Sequence, residues 1–125
     1  MKIYIASFYD TRDRLRPIIG LLERIGHTVT SRWISQQENE ADNITDQDWR
    51  IYGERDLEDI RNADILICDT LDETPRGGRE VELGYAMALG KLAITVGPKR
   101  NIFHRLLPNH RDWPTLLLSL MKDKQ

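Results

Sequence analysis

Residues 76–91 read Arg-Gly-Gly-Arg-Glu-Val-Glu-Leu-Gly-Tyr-Ala-Met-Ala-Leu-Gly-Lys, a glycine-rich turn that runs into a helical segment with two carboxylates near its start. Glu82 is expected in the first turn of that helix, where unpaired backbone N–H groups and the helix dipole favour an ionised carboxylate. An ionised carboxylate at a crevice can act as a nucleophile. Glu80 and Glu82 also read as plain solvated acids at a helix start, the commoner use of such residues. The pair Gly77-Gly78 lets a ligand approach the backbone closely, although a simple turn uses the same two residues.

A second carboxylate, Asp56, falls four residues after Tyr52 and four before Ile60, so it shares a helical stripe with packed residues and reads either as inward-facing or as one more wet charge. Tyr4, in an apolar strand near the N-terminus, is a core aromatic whose hydroxyl needs a hydrogen-bond partner. Cys68, the single cysteine, lies in an apolar run and reads as a buried thiol rather than a nucleophile or ligand. His27, His104 and His110 have no ligand spacing and the carboxylates are scattered, so no metal is expected. No Gly-x-Gly-x-x-Gly follows the first strand, so no dinucleotide cofactor is expected either.

These residues need a frame. Apolar runs of strand character alternate with segments of helical period, which predicts an α/β fold with a parallel sheet. Strands are expected at 3–6, 28–34, 63–68 and 92–96, with a fifth, edge strand short or missing. Helices are expected at 11–25, stopped by Gly26, then from a capping pattern at 44–48 to about residue 62, then after Gly77-Gly78, and finally at 113–121 ahead of a polar tail at 122–125. Residues 35–43 read as an exposed loop, and Pro98 and Pro108 bracket a loop or short helix near 102–107. Ligands of such sheets collect at the carboxyl ends of the strands, where the 76–91 segment begins.

The 125 residues make one domain, 1–125. Eighteen Lys and Arg against 20 Asp and Glu give a net charge of -2, which argues against a nucleic-acid partner and for a small-molecule ligand. No apolar run approaches the roughly 18 residues of a membrane span, and the N-terminal run is too short for a signal peptide. A soluble protein of the reducing cytoplasm is expected.

Taken together, Tyr4-Ile5-Ala6, Asp56 ahead of Ala63-Asp64-Ile65, Glu82-Leu83-Gly84-Tyr85-Ala86 with Gly90-Lys91, and Asn101-Ile102-Phe103 after a proline resemble the nucleoside 2-deoxyribosyltransferases. The resemblance spans residue 2 to about residue 108. It implies a flavodoxin-like three-layer fold and a retaining displacement at the anomeric carbon, in nucleotide metabolism or salvage. Glu82 would attack C1′ to give a glycosyl-enzyme ester, Tyr4 would hold Glu82, and Asp56 would manage the proton of the departing base. Asn101 matches an asparagine that reaches into a neighbouring subunit's site in that family, which implies a homodimer or larger homo-oligomer with shared active sites.

The chain also departs from the resemblance. The transferases carry a base-holding aspartate six residues before the nucleophile, and here that residue is Arg76. Arginine suits bidentate phosphate recognition, and Arg79 is near it in sequence. The related deoxynucleoside 5′-monophosphate N-hydrolases bind a phosphate with this loop, around Gly78, so hydrolysis stands beside transfer; both arginines also read as solvent-facing charges. Ser7 and Phe8 lie on a first loop shorter than usual, with Ser7 either a helix cap or a ligand contact. His104 is expected near Asn101 at the subunit contact or on the surface, and Arg32-Trp33 offers either a stacking face or ordinary packing. A non-catalytic nucleotide-binding module is the remaining reading.

Overall fold

The computed structural model describes residues 1–36 and 44–123, so the loop expected at 35–43 lies, from residue 37 on, outside the described residues, as do the last two residues of the tail. Five parallel strands form one sheet in the order β2-β1-β3-β4-β5: β1 (Lys2–Ala6), β2 (Thr28–Val29), β3 (Ile65–Asp69), β4 (Leu92–Val96) and β5 (Asn109–His110). Helices α1 (Arg12–Arg24), α2 (Arg32–Ser35), α3 (Asp46–Arg61), α4 (Gly78–Ala88) and α5 (Trp113–Lys122) connect or follow them, with 3₁₀ turns at Tyr9–Thr11 and Phe103–Leu106. The fold is a three-layer α/β domain.

Local chemistry accounts for the boundaries. Gly26 ends α1 at φ 96°, a left-handed conformation that suits glycine. Thr45 caps α3 reciprocally with Asp48, and Asp112 caps α5 by accepting the Thr115 N–H. All five residues of β3 are buried, as expected of a central strand covered on both faces. At Gly97, φ is 118° and an added Cβ would lie 2.7 Å from Thr70 Oγ1 and 2.8 Å from the Leu71 nitrogen, so only glycine lets β4 leave the sheet beside β3.

One expectation is corrected here. The second strand does not run from 28 to 34: pairing stops after Val29, and residues 32–35 are helical. Ser31 Oγ accepts the Ile5 N–H, Asp59 accepts the Arg32 N–H at the start of α2, and the Trp33 indole donates to the Ile5 carbonyl. Those bonds satisfy backbone groups that a longer ladder would otherwise serve. The fifth strand is present as the two-residue β5, held to β4 by the Asn109 amide, which donates to Thr95 and Gly97.

At the carboxyl end of β3, the fully buried Asp69 accepts from Arg14 (2.9 Å), the Trp113 indole (2.7 Å) and the Leu71 N–H (3.0 Å). One carboxylate thereby ties α1, α5 and the loop after β3 to the sheet. Asp69→Ala orphans a buried indole N–H and a cation, and is expected to cost about 3–5 kcal/mol. The urea midpoint should fall by that equivalent with the slope unchanged.

Candidate active site

In this sheet order the chain reverses direction between β1 and β3, and the crevice at their carboxyl ends is where ligands bind in such folds. Tyr4 lies on β1 facing α4, fully buried, and its hydroxyl donates to Glu82 Oε2 at 2.7 Å. Asp56 reaches the same point from α3 and shares a side-chain hydrogen bond with Glu82. Three elements thus bring Tyr4, Asp56 and Glu82 together.

The position of Glu82 corrects the expected electrostatics. α4 starts at Gly78, so Glu80 is the first-turn acid and Glu82 lies a residue beyond that turn. Burial raises its pKa, the Tyr4 hydrogen bond opposes that, and the neighbouring Asp56 adds to it, leaving Glu82 pushed up to about 8 from an ordinary 4.5. Asp56 is also raised, chiefly by burial, with Arg55 opposing and Asp59 adding to the rise. The Tyr4 hydroxyl is held far above its usual range by burial and by these acids, so it only donates. The two carboxylates form a coupled pair that retains a proton at neutral pH.

The remaining expected residues are dispersed. Ser7 and Phe8 sit on the loop leaving β1, partly exposed, with Ser7 Oγ 3.1 Å from Thr11 Oγ1 and the Phe8 carbonyl accepting the Thr11 N–H. Gly77 and Gly78 open α4 without a side-chain cap, and a Cβ on either would meet nothing within 4 Å. Arg76 is exposed, and among the described residues its guanidinium has no hydrogen-bond partner. Arg79 is no surface charge: it is 5% exposed and donates to the carbonyls of Asp69 and Asp72 and to Glu80, so it braces the loop from within. Trp33 packs in the core rather than offering a stacking face.

His104 is also corrected, from surface to fully buried. Its Nδ1 accepts the Arg100 N–H at 3.0 Å, so Nε2 carries the ring N–H and donates to Glu80 at 3.0 Å. Burial raises the Glu80 pKa, but the bonds from His104 and Arg79 outweigh it and keep Glu80 below its ordinary value. Cys68, Glu80 and His104 put their ligand atoms within 4.8 Å of one another, a grouping that histidine spacing concealed. Its chemistry does not suit a cation: Nε2 is a donor, Glu80 already accepts from Arg79, and burial pushes the Cys68 thiol up to about 12.

Asn101 accepts the Phe103 and His104 N–H groups and lines a groove of about 420 Å³ with Glu80, Leu83, Gly84, Met87 and Phe103. Glu80, Leu83, Gly84 and Met87 make an i, i+3, i+4, i+7 stripe, and Glu82, midway between Glu80 and Gly84, faces the other side of α4. Asn101 and Glu82 therefore lie on opposite faces of one helix. One site neighbour escaped the sequence reading altogether: Arg55 donates to Asp56 from both Nε and Nη2. Its adjacency to Asp56 was the only signal available.

A sequence profile of the nucleoside 2-deoxyribosyltransferase family matches residues 3–110. The chain belongs to that family. Solved structures similar to it include a 2-deoxyribosyltransferase from the psychrotolerant bacterium Bacillus psychrosaccharolyticus, at 24% identity and TM-score 0.77 over 96% of each chain. The CMP N-glycosidase BcmB of Clostridium botulinum is similar at 20% identity and TM-score 0.64, over 96% of this chain and 98% of that one. A conserved protein from Enterococcus faecalis V583 is similar at 18% identity and TM-score 0.69, over 100% and 99%. At these identities the structures speak for the fold of the family. None of the curated protein sequences matches the chain. Among the described residues, no helix is long and apolar enough to cross a membrane.

A raised native pKa links Glu82 to stability. Its contribution is fully present below about pH 4.5, the unfolded value, and is lost as pH rises through about 8. Glu82→Gln is expected to flatten the decline in stability across that window, read as the pH dependence of the urea midpoint of both proteins. A decline of unchanged steepness in Glu82→Gln would contradict the burial of a protonated Glu82.

Proposed function

We propose that this protein cleaves the N-glycosidic bond of 2′-deoxyribonucleosides through Glu82 and passes the deoxyribosyl group to another nucleobase. The observation that carries the reading is the convergence of Tyr4, Asp56 and Glu82 at the β1–β3 crevice. Membership of the nucleoside 2-deoxyribosyltransferase family supports it.

The chemistry follows from the shared proton. In the resting pair Glu82 holds the proton and donates it to Asp56; the nucleophile must be ionised and the acid protonated, so the proton moves to Asp56 when substrate binds. Glu82 attacks C1′, the C1′–N bond breaks with its electron pair passing to the base, and Asp56 delivers the proton to that base. The Tyr4 hydroxyl holds the attacking carboxylate in line. An acceptor base then attacks C1′ from the face the first base left, opposite Glu82; the ester bond from C1′ to Glu82 breaks with its electron pair returning to the carboxylate, Asp56 takes the proton of the incoming base, and two inversions give net retention.

Arg76 favours a second reading. A guanidinium free of partners among the described residues, beside an uncapped helix start, suits a 5′-phosphate, so N-glycoside hydrolysis of deoxynucleoside monophosphates with water as acceptor is the alternative. Similarity to a CMP N-glycosidase supports it. Neither reading needs a metal or organic cofactor.

We also propose that the active unit is a homodimer or larger homo-oligomer. Asn101 faces away from Glu82 within one chain, so the sugar contact that the family resemblance implies for it is one made to a second copy's site, and Ile102, Phe103 and Leu106 beside it are 72%, 56% and 71% exposed. Phe103→Glu is expected to shift the protein to monomer in light scattering and to abolish turnover; a monomeric wild type would refute shared sites.

The activity test is chromatography of the protein with deoxynucleosides and their monophosphates, with and without free base. A new nucleoside formed only with acceptor supports transfer, whereas free base formed regardless of acceptor supports hydrolysis. Glu82→Ala should lose at least about 10³-fold in either case, and intact-mass spectrometry of the wild type should find one deoxyribosyl adduct that the variant lacks.

A further inference from the structure

Arg55 precedes Asp56 on α3, where consecutive side chains point about 100° apart, so its guanidinium must curl back to meet its neighbour. It is fixed there from several sides. Nε and Nη2 each lie 3.2 Å from Asp56 Oδ1, Nη1 donates to Gln36 Oε1 at 2.9 Å, and the guanidinium carbon sits 5.0 Å from the centre of the Tyr52 ring. Tyr52 in turn meets Trp49 edge-on at 6.4 Å. The Arg55 side chain is only 18% exposed, so these bonds operate with little water between them.

Two N–H donors of a cation on one oxygen make that oxygen a poor proton site. On the reading that Asp56 is the acid for the leaving base, we propose that Arg55 is a positioning residue that confines the transferable proton of Asp56 to Oδ2 and so aims it at the departing nucleobase. Arg55 makes no contact with Glu82 and takes no proton itself.

The charged groups around this acid come from every packed element. The Tyr4 hydroxyl approaches from β1 and Glu82 from α4; Asp59 lies one turn on along α3 and is itself tied to Arg32 of α2. Arg55 is the cation that favours the ionised form of both Asp56 and Glu82. Losing it should raise both pKa values and push the limb for nucleophile ionisation to higher pH.

The test compares wild type, Arg55→Met and Arg55→Lys on two substrates: an ordinary purine deoxynucleoside, whose base must be protonated to leave, and its N7-methylated analogue, whose base departs neutral without a proton. Arg55→Met is expected to lose roughly a hundredfold in pH-independent kcat/KM on the ordinary substrate and less than about threefold in the same constant on the methylated one. The alkaline shift of its pH limb is expected to be about one unit, with Arg55→Lys returning the limb to the wild-type position. Equal losses on both substrates with an unmoved limb overturn the proposal and leave Arg55 a packing residue. Should Arg55→Met not fold, Arg55→Lys carries the test, because loss of the guanidinium fork must still separate the two substrates. A wild type inactive on both substrates refutes the proposed function instead, so the two failures are distinguishable.

Discussion

The hydroxyl of Tyr4 donates to Glu82 across 78 residues of chain, from the middle of a fully buried strand to the second turn of a helix. A carboxyl group this deeply placed is costly to ionise, and a tyrosine hydroxyl without a partner there is costly to bury. Each group reduces the other's penalty. The bond holds only while β1 and α4 keep their distance, and α3 must stay close for Asp56 to share the proton. The packing of α3 on α4 over β1 and β3 is therefore a condition for the proposed chemistry as well as for the core.

A second set of bonds keeps that crevice open. The loop after β3 turns its carbonyls inward, and two arginines satisfy them: Arg79 donates to the carbonyls of Asp69 and Asp72 and Arg100 to those of Thr70 and Leu71, while Arg14 binds the Asp69 carboxylate. Buried backbone groups need partners, and cationic donors are strong ones. With the loop braced from within, Arg76 at its outer turn has no side-chain partner among the described residues. The glycines at the start of α4 keep the approach to that turn unobstructed.

The same residue type thus does opposite things a few positions apart, which limits what composition could tell. Arg76 and Arg79 look alike in sequence, yet one is exposed and the other 5% exposed. His104 has no spacing that marks it, but its ring bonds on both nitrogens and clamps α4 to the turn after β4. The stretch 28–34 has strand-like residues throughout, but Asp59 supplies an acceptor at Arg32 and the chain turns into α2. In each case a partner far along the chain overrode a local preference.

What the sequence determined by itself is the alternation of strands and helices, the capped start of α3, the glycine stop of α1, and the family to which Tyr4, Asp56, Glu82 and Asn101 point. Those features depend on residues within a turn or two of one another, where periodicity and capping chemistry act. Only the tertiary structure decided that burial and Asp56 raise the pKa of Glu82, that Arg55 bonds to Asp56, and that Asn101 faces away from the Glu82 of its own chain. Desolvation and charge coupling depend on what lies within a few ångströms in space, and helix faces acquire meaning only once the helix is docked.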